Sequence, residues 1–258
     1  MTAIVGVLCR EGVVIGADSS ATFSAGHQHT IEQPTEKLTI IHDAVIVVGT
    51  GQVGLGQRFR RIVEMSWENG VFDGRLHHIE IGKHLCREAL GDFGSTRMGP
   101  GQFGALVAFS LGENPHLCEF ASTDFQPEFK DKGIWYCSLG SGQPIADPFL
   151  GLMREVFWSA GPPLVQDGIF AVTWALQHVI NLNPGGVNQP IRIAVLEKVE
   201  AGRFQGRMLD ADELQEHYGN IEEAKRRLQS VQEDQQPTAA ATPDIPRVEL
   251  PRAVREDH

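Results

Sequence analysis

Apolar positions in the first fifty residues come in short, β-branched bursts. Thr2–Ala17 is apolar around a central "REG", which predicts two strands joined by a tight turn at Arg10–Gly12. Ser19–Thr35 is polar and rich in Ser, His and Gln, and predicts a loop. "KLTIIHDAVIVVGTG" (Lys37–Gly51) predicts a second strand pair that turns near His42–Asp43. The period then lengthens. Val53, Phe59, Ile62, Val63 and Trp67 recur at helical spacing over Gln52–Glu68, and His78–Phe93 predicts a second helix. "FGALVAFS", "LCEFAST" and "GIWYCSLG" return to strand. Gln143–Trp158 and Pro163–Leu182 predict two further helices around the turn "SAGPP", and "IRIAVLEKV" (Ile191–Val199) predicts a final long strand.

Strands and helices are thus segregated rather than alternating. That order predicts an α+β chain of antiparallel sheets covered by helices, not a doubly wound parallel sheet. Residues 2–208 read as the folded domain, and 209–234 as a charged helical extension. Residues 235–258, with four prolines and few aromatics, read as disordered.

Composition narrows the function classes. The 258 residues carry a net charge of -11 and no basic stretch, which excludes a phosphate-binding footprint and with it nucleic acid. Apolar runs are short and broken by Gly or charge, so no membrane span is expected. No basic region precedes an apolar one at the start, so no signal peptide is expected and a cytoplasmic location follows. Cys9, Cys86, Cys118 and Cys137 form no CxxC pair and read as buried thiols of a reducing compartment.

Candidate chemistry begins at Thr2. Once Met1 is removed, its hydroxyl would stand beside its own α-amine, whose pKa of about 7.7–8.0 suits a general base near neutrality. A turn over Arg10–Gly12 pairs Cys9 with Val13 and sets Asp18 opposite Ile4, one diagonal step from Thr2. Asp18 also reads simply as a strand-ending turn residue, Lys37 as a solvated strand-start lysine and Ser141 as a helix N-cap. Gly49, Gly51, Gly54 and Gly56 fit neither GxGxxG nor the phosphate-cradling loop, and no cofactor is called for. His77, His78 and His84 read as a polar helix surface rather than a metal site, so no metal is called for either.

The opening "TAIVGVLCREGVVIGADSSAT" resembles that of proteasome β-subunits and their bacterial relatives, the HslV peptidase, Anbu and the β-proteasome homologues. "EKLTII", "GTGQVGLGQRF" and "SLGSGQPIADPFL" follow in the family's order, so the resemblance runs with gaps from Thr2 to about Val199. It implies a four-layer αββα sandwich and an N-terminal-nucleophile (Ntn) hydrolase that cleaves amide or peptide bonds through an acyl-enzyme ester. By that resemblance Thr2 is nucleophile and base, Asp18 holds Lys37, and Lys37 lowers the pKa of the Thr2 hydroxyl. Gly51 supplies an oxyanion-hole N–H and Ser141 bonds near the α-amine. Gly49 and Val53 line the substrate pocket, the bare α-carbon of Gly49 implying a roomy one. The implied partners are a protein or peptide substrate, further copies of the chain in a ring or stacked ring, and an ATPase unfoldase.

The sequence departs from the family in three places. Ser20 stands where the family often has Arg, and the stretch from Asp18 to Lys37 is longer and contains His27 and His29. Asn181 and Pro184 stand where the family has an acidic residue and a Ser or Thr. Two alternatives therefore accompany the peptidase reading: an Ntn amidase, acylase or peptide ligase on a small substrate, and a non-catalytic ring subunit.

Overall fold

The computed structural model describes residues 1–25, 28–98, 103–182, 186–199 and 202–234. Twelve strands and five helices follow in chain order among them. Strands β1 (Ile4–Leu8) and β2 (Gly12–Asp18) form the first hairpin, and β3 (Ser20–Ala25) pairs with β4 (Gln28–Pro34). Strands β5 (Leu38–Ile41) and β6 (Val45–Gly51) lead into helices α1 (Val53–Glu68) and α2 (His78–Ser95). Strands β7 (Phe103–Leu111), β8 (Asn114–Phe120), β9 (Pro127–Phe129) and β10 (Tyr136–Leu139) precede helices α3 (Gln143–Phe157) and α4 (Val165–Leu182). Strands β11 (Ile191–Lys198) and β12 (Phe204–Met208) and helix α5 (Ala211–Asp234) complete the chain.

Two five-stranded antiparallel sheets result, in the orders β10-β1-β2-β11-β12 and β5-β6-β7-β8-β9. They pack face to face. A Cβ added at Gly6 in the first sheet would lie 2.8 Å from Leu106 and 3.2 Å from Leu117 in the second. Helix α4 covers the outer face of the first sheet, where Gly16 lies under Val172 and Leu176. Helices α1 and α2 cover the second: Phe59 and Phe93 join Phe103, Phe120 and Phe125 in one aromatic cluster. Ring pairs of this kind add about 0.5–1.5 kcal/mol each beyond the area they bury. The architecture is the αββα sandwich.

Three local expectations are corrected. The first turn is the two-residue Arg10–Glu11, closed by the Cys9 N–H donating to the Gly12 carbonyl at 2.8 Å. Leu8 therefore pairs with Val13, and Asp18 faces Ala3 rather than Ile4. Gly12 belongs to the strand. A Cβ there would lie 2.4 Å from the Leu196 carbonyl oxygen, so close packing demands this glycine, not a turn. The second correction concerns Ser19–Thr35, which is a hairpin and not a loop: Ser20–Ala25 and Gln28–Pro34 pair as a separate two-stranded ribbon. Its polar sequence lacks the buried-face alternation that marks a strand. Finally, β11 is not the last strand, since the short β12 adds to the edge of the first sheet.

Met1–Ile221 form one compact unit, and the chain from Glu222 onward forms a second. In the second unit, ion pairs of Lys225 with Glu222 and of Arg227 with Glu223 run along α5. The expectation of disorder over 235–258 lies outside the described residues. Among those residues no helix is long and apolar enough to cross a membrane. All four cysteines are free and buried.

Candidate active site

The site lies where the N-terminal strand, β2 and the approach to β5 meet. Asp18 ends β2 with only 1% of its surface exposed. Its Oδ1 accepts the Ala3 N–H at 2.9 Å, and its Oδ2 accepts the Ser20 N–H at 3.1 Å. Oδ1 also accepts Lys37 Nζ at 2.6 Å, while that same nitrogen donates to Thr2 Oγ1 at 3.1 Å. One buried carboxylate thus orients one lysine onto one hydroxyl. Burial lowers the Lys37 pKa, and the charge and hydrogen bond of Asp18 oppose that shift.

Thr2 is clasped from the far end of the chain. Its N–H donates to Ser141 Oγ at 3.0 Å, and its carbonyl accepts the Ser141 hydroxyl at 3.3 Å and the Gly142 N–H at 3.1 Å. Gly140 carries φ +91°, and a Cβ there would stand 2.3 Å from the Thr2 carbonyl oxygen. Only glycine suits both the backbone angle and the contact. The "SLGSG" turn is therefore shaped around the Thr2 peptide.

A cavity of about 240 Å3 opens beside Thr2. Gly49, Gly51 and Val53 line it, with Met1, Thr35, Lys37 and Phe103. Gly51 has φ +108°, a left-handed angle that favours glycine. At Gly49 the expectation of extra room is corrected. A Cβ there would lie 2.4 Å from the Phe103 ring, so that ring fills the space the absent side chain leaves.

The family model for proteasome subunits matches residues 2–151. The chain belongs to the proteasome subunit family. The solved structure of an Anbu (Gly-1) mutant from Hyphomicrobium sp. strain MC1 is similar to it, with a TM-score of 0.67 and 12% identity. That likeness covers 90% of this chain and 100% of the other. At such identity it establishes the fold, which is that of the Ntn hydrolases. Comparison with curated proteins gives no match.

Family membership does not carry every position over. Asn181 is exposed near the end of α4, and Pro184 lies outside the described residues, as does His27. Ser20, standing where the family often has Arg, contributes its backbone N–H to Asp18 instead. The sequence reading also missed part of the cavity wall: Thr39, Gln57 and Arg60 line it as well. For Gln57 and Arg60 the signal was available in α1, because Val53, Gly56, Gln57 and Arg60 recur at helical spacing on one face.

His77, His78 and His84 do not converge on a metal. His84 pairs with Ser66 at 3.2 Å, whereas His78 stacks on His116 and lies tilted against His77. Among the described residues, the three potential ligands that do converge are His42, Glu64 and Glu68. There Arg61 already bonds both glutamates, and none of the three lines the cavity beside Thr2.

Proposed function

We propose that this chain is an N-terminal threonine hydrolase that cleaves amide or peptide bonds within a homo-oligomeric, proteasome-like assembly. The observation that carries the reading is Lys37 Nζ, held by buried Asp18 and placed 3.1 Å from Thr2 Oγ1. Burying an ion pair is a poor route to stability, since apolar replacements of similar volume are often neutral or better. A pair kept out of water beside a hydroxyl is therefore better explained by chemistry than by folding, which also counts against a purely structural subunit.

Removal of Met1 would free the Thr2 amine beside Ser141 Oγ. The amine would take the Thr2 hydroxyl proton as Oγ attacks the substrate carbonyl carbon. The Lys37 ammonium would stabilise the developing alkoxide, and the Gly51 N–H would donate to the oxyanion. As the C–N bond breaks, the leaving amine would carry away the proton held by the Thr2 amine, leaving an ester on Oγ. Water, deprotonated by that amine, would attack the ester carbon; the acyl–Oγ bond would then break, and the amine would return its proton to Oγ. No step calls on a metal or cofactor. Helix α3 leaves Leu152, Val156 and Phe157 exposed, an apolar face that supports association with further copies.

Intact mass and N-terminal sequencing after reaction with an epoxyketone test this reading. One adduct on a chain beginning at Thr2 is the expected result. Retention of Met1 would defeat the catalytic claim and favour a structural ring subunit.

A further inference from the structure

The cavity beside Thr2 has a direction. Val47 and Gly49 lie on one face of β6, and Thr39 pairs with Val47 across the β5–β6 ladder. Two residues along a strand span roughly 7 Å, so the Thr39–Val47 pair stands about that far along the sheet from Gly49. The opposite wall is the Val53, Gly56, Gln57 and Arg60 face of α1. Arg60 closes this wall at the Thr39 end, where its Nη1 lies 3.5 Å from Thr39 Oγ1. The space between is bounded by apolar Val47, Val53 and Phe103 and ends in hydroxyl, amide and guanidinium groups.

Two cations line this cavity, and they differ in availability. Lys37 is committed to Asp18 and Thr2. Arg60 is exposed; its charge acts on Glu64 one turn along α1, but among the described residues it makes no ion pair within 4 Å. The carboxylate on the lining belongs to Glu36, which is exposed and adjoins Lys37 in the chain.

We propose that Arg60 makes this pocket select an acidic side chain, glutamate above all, on the acyl side of the scissile bond. The proposal rests on the hydrolase reading above and adds the substrate class. A guanidinium at the end of an otherwise apolar and hydroxylic slot matches a carboxylate at the end of a short methylene chain. A charge-assisted hydrogen bond of this kind discriminates by about tenfold to hundredfold.

Fluorogenic tetrapeptides that differ only in a Glu, Gln, Leu or Lys before the cleaved bond test it, with kcat/KM read for the Met1-free protein and for Arg60→Ala and Arg60→Glu. The expected order puts Glu first, at least tenfold above Leu. The Glu-to-Leu ratio should fall about tenfold in Arg60→Ala, and Lys should become the best substrate in Arg60→Glu. Preference for Leu or Lys in the unmodified protein, or an equal change on all four substrates in Arg60→Ala, overturns the assignment while leaving the hydrolase reading intact. Turnover of none of them, with no epoxyketone adduct on Thr2, overturns the hydrolase reading and the selectivity with it.

Discussion

Lys37 Nζ sits 2.6 Å from Asp18 Oδ1, and the two side chains are 8% and 0% exposed. Neither charge has water to fall back on. Asp18→Ala should therefore strand the lysine and lower unfolding free energy by about 3–5 kcal/mol, read from the urea midpoint. Lys37→Ala should slow turnover by roughly 10²–10³-fold, because the cation facing Thr2 Oγ1 is lost.

The pH profile should carry the same signature. Burial lowers the Lys37 pKa below its ordinary 10.5, with Asp18 opposing. The unfolded chain thus binds more protons than the folded one just below pH 10.5, and stability rises with pH in that window. Activity should move the other way, falling on an alkaline limb below pH 10.5 as the ammonium loses its proton. In Lys37→Arg, whose guanidinium stays charged, any residual activity should lack that limb. An unchanged limb would assign it to another group.

Gly140→Ala tests the clasp on Thr2. The added methyl meets the Thr2 carbonyl oxygen, at a φ of +91° that alanine avoids. A loss of about 1–3 kcal/mol in stability is expected, together with slower epoxyketone labelling of Thr2. Gly74→Ala is the matched control: it also has positive φ, but open space around the added carbon. It should cost stability without slowing labelling.

His116 predicts an acid-side effect from outside the lining of the cavity beside Thr2. Burial, then His78 and His77, lower its pKa to about 4. Stability linked to it is present above pH 6.5, the ordinary value, and is lost as pH falls toward 4, because the unfolded chain takes up the proton first. With His116 only partly buried, the effect should be on the order of 1–2 kcal/mol. His116→Gln should flatten that stretch of a stability-against-pH curve.

The longer elements were legible because periodic segments declare themselves, whereas the four-layer sandwich was anticipated through family resemblance. The Lys37–Gly51 hairpin turns at His42 and Asp43, both at positive φ, where the polar pair interrupts two apolar runs. Glycine was the less faithful guide. Gly12 mimics a turn residue, yet it serves the approach of Leu196, and Gly49 mimics an empty pocket, yet it serves Phe103. A glycine states that something comes near, and only the fold says what. Strands β9 and β12, of three and five residues, are too short to show a period. The gathering of Thr2, Asp18, Lys37 and Ser141 was anticipated through family resemblance, because hairpin spacing brought only Asp18 near Thr2, and residue type alone favoured a solvated lysine at Lys37 and allowed a helix cap at Ser141.

Thr2 and Ser141 are 139 residues apart in the chain. The candidate nucleophile is made 139 residues ahead of Ser141, so it leaves the ribosome well before its clasp exists. A growing chain therefore carries the threonine without the turn that holds it, and reactivity has to wait for the middle of the protein to fold back onto its start. That delay acts as a timer written into the order of the sequence, separate from the proposed removal of Met1.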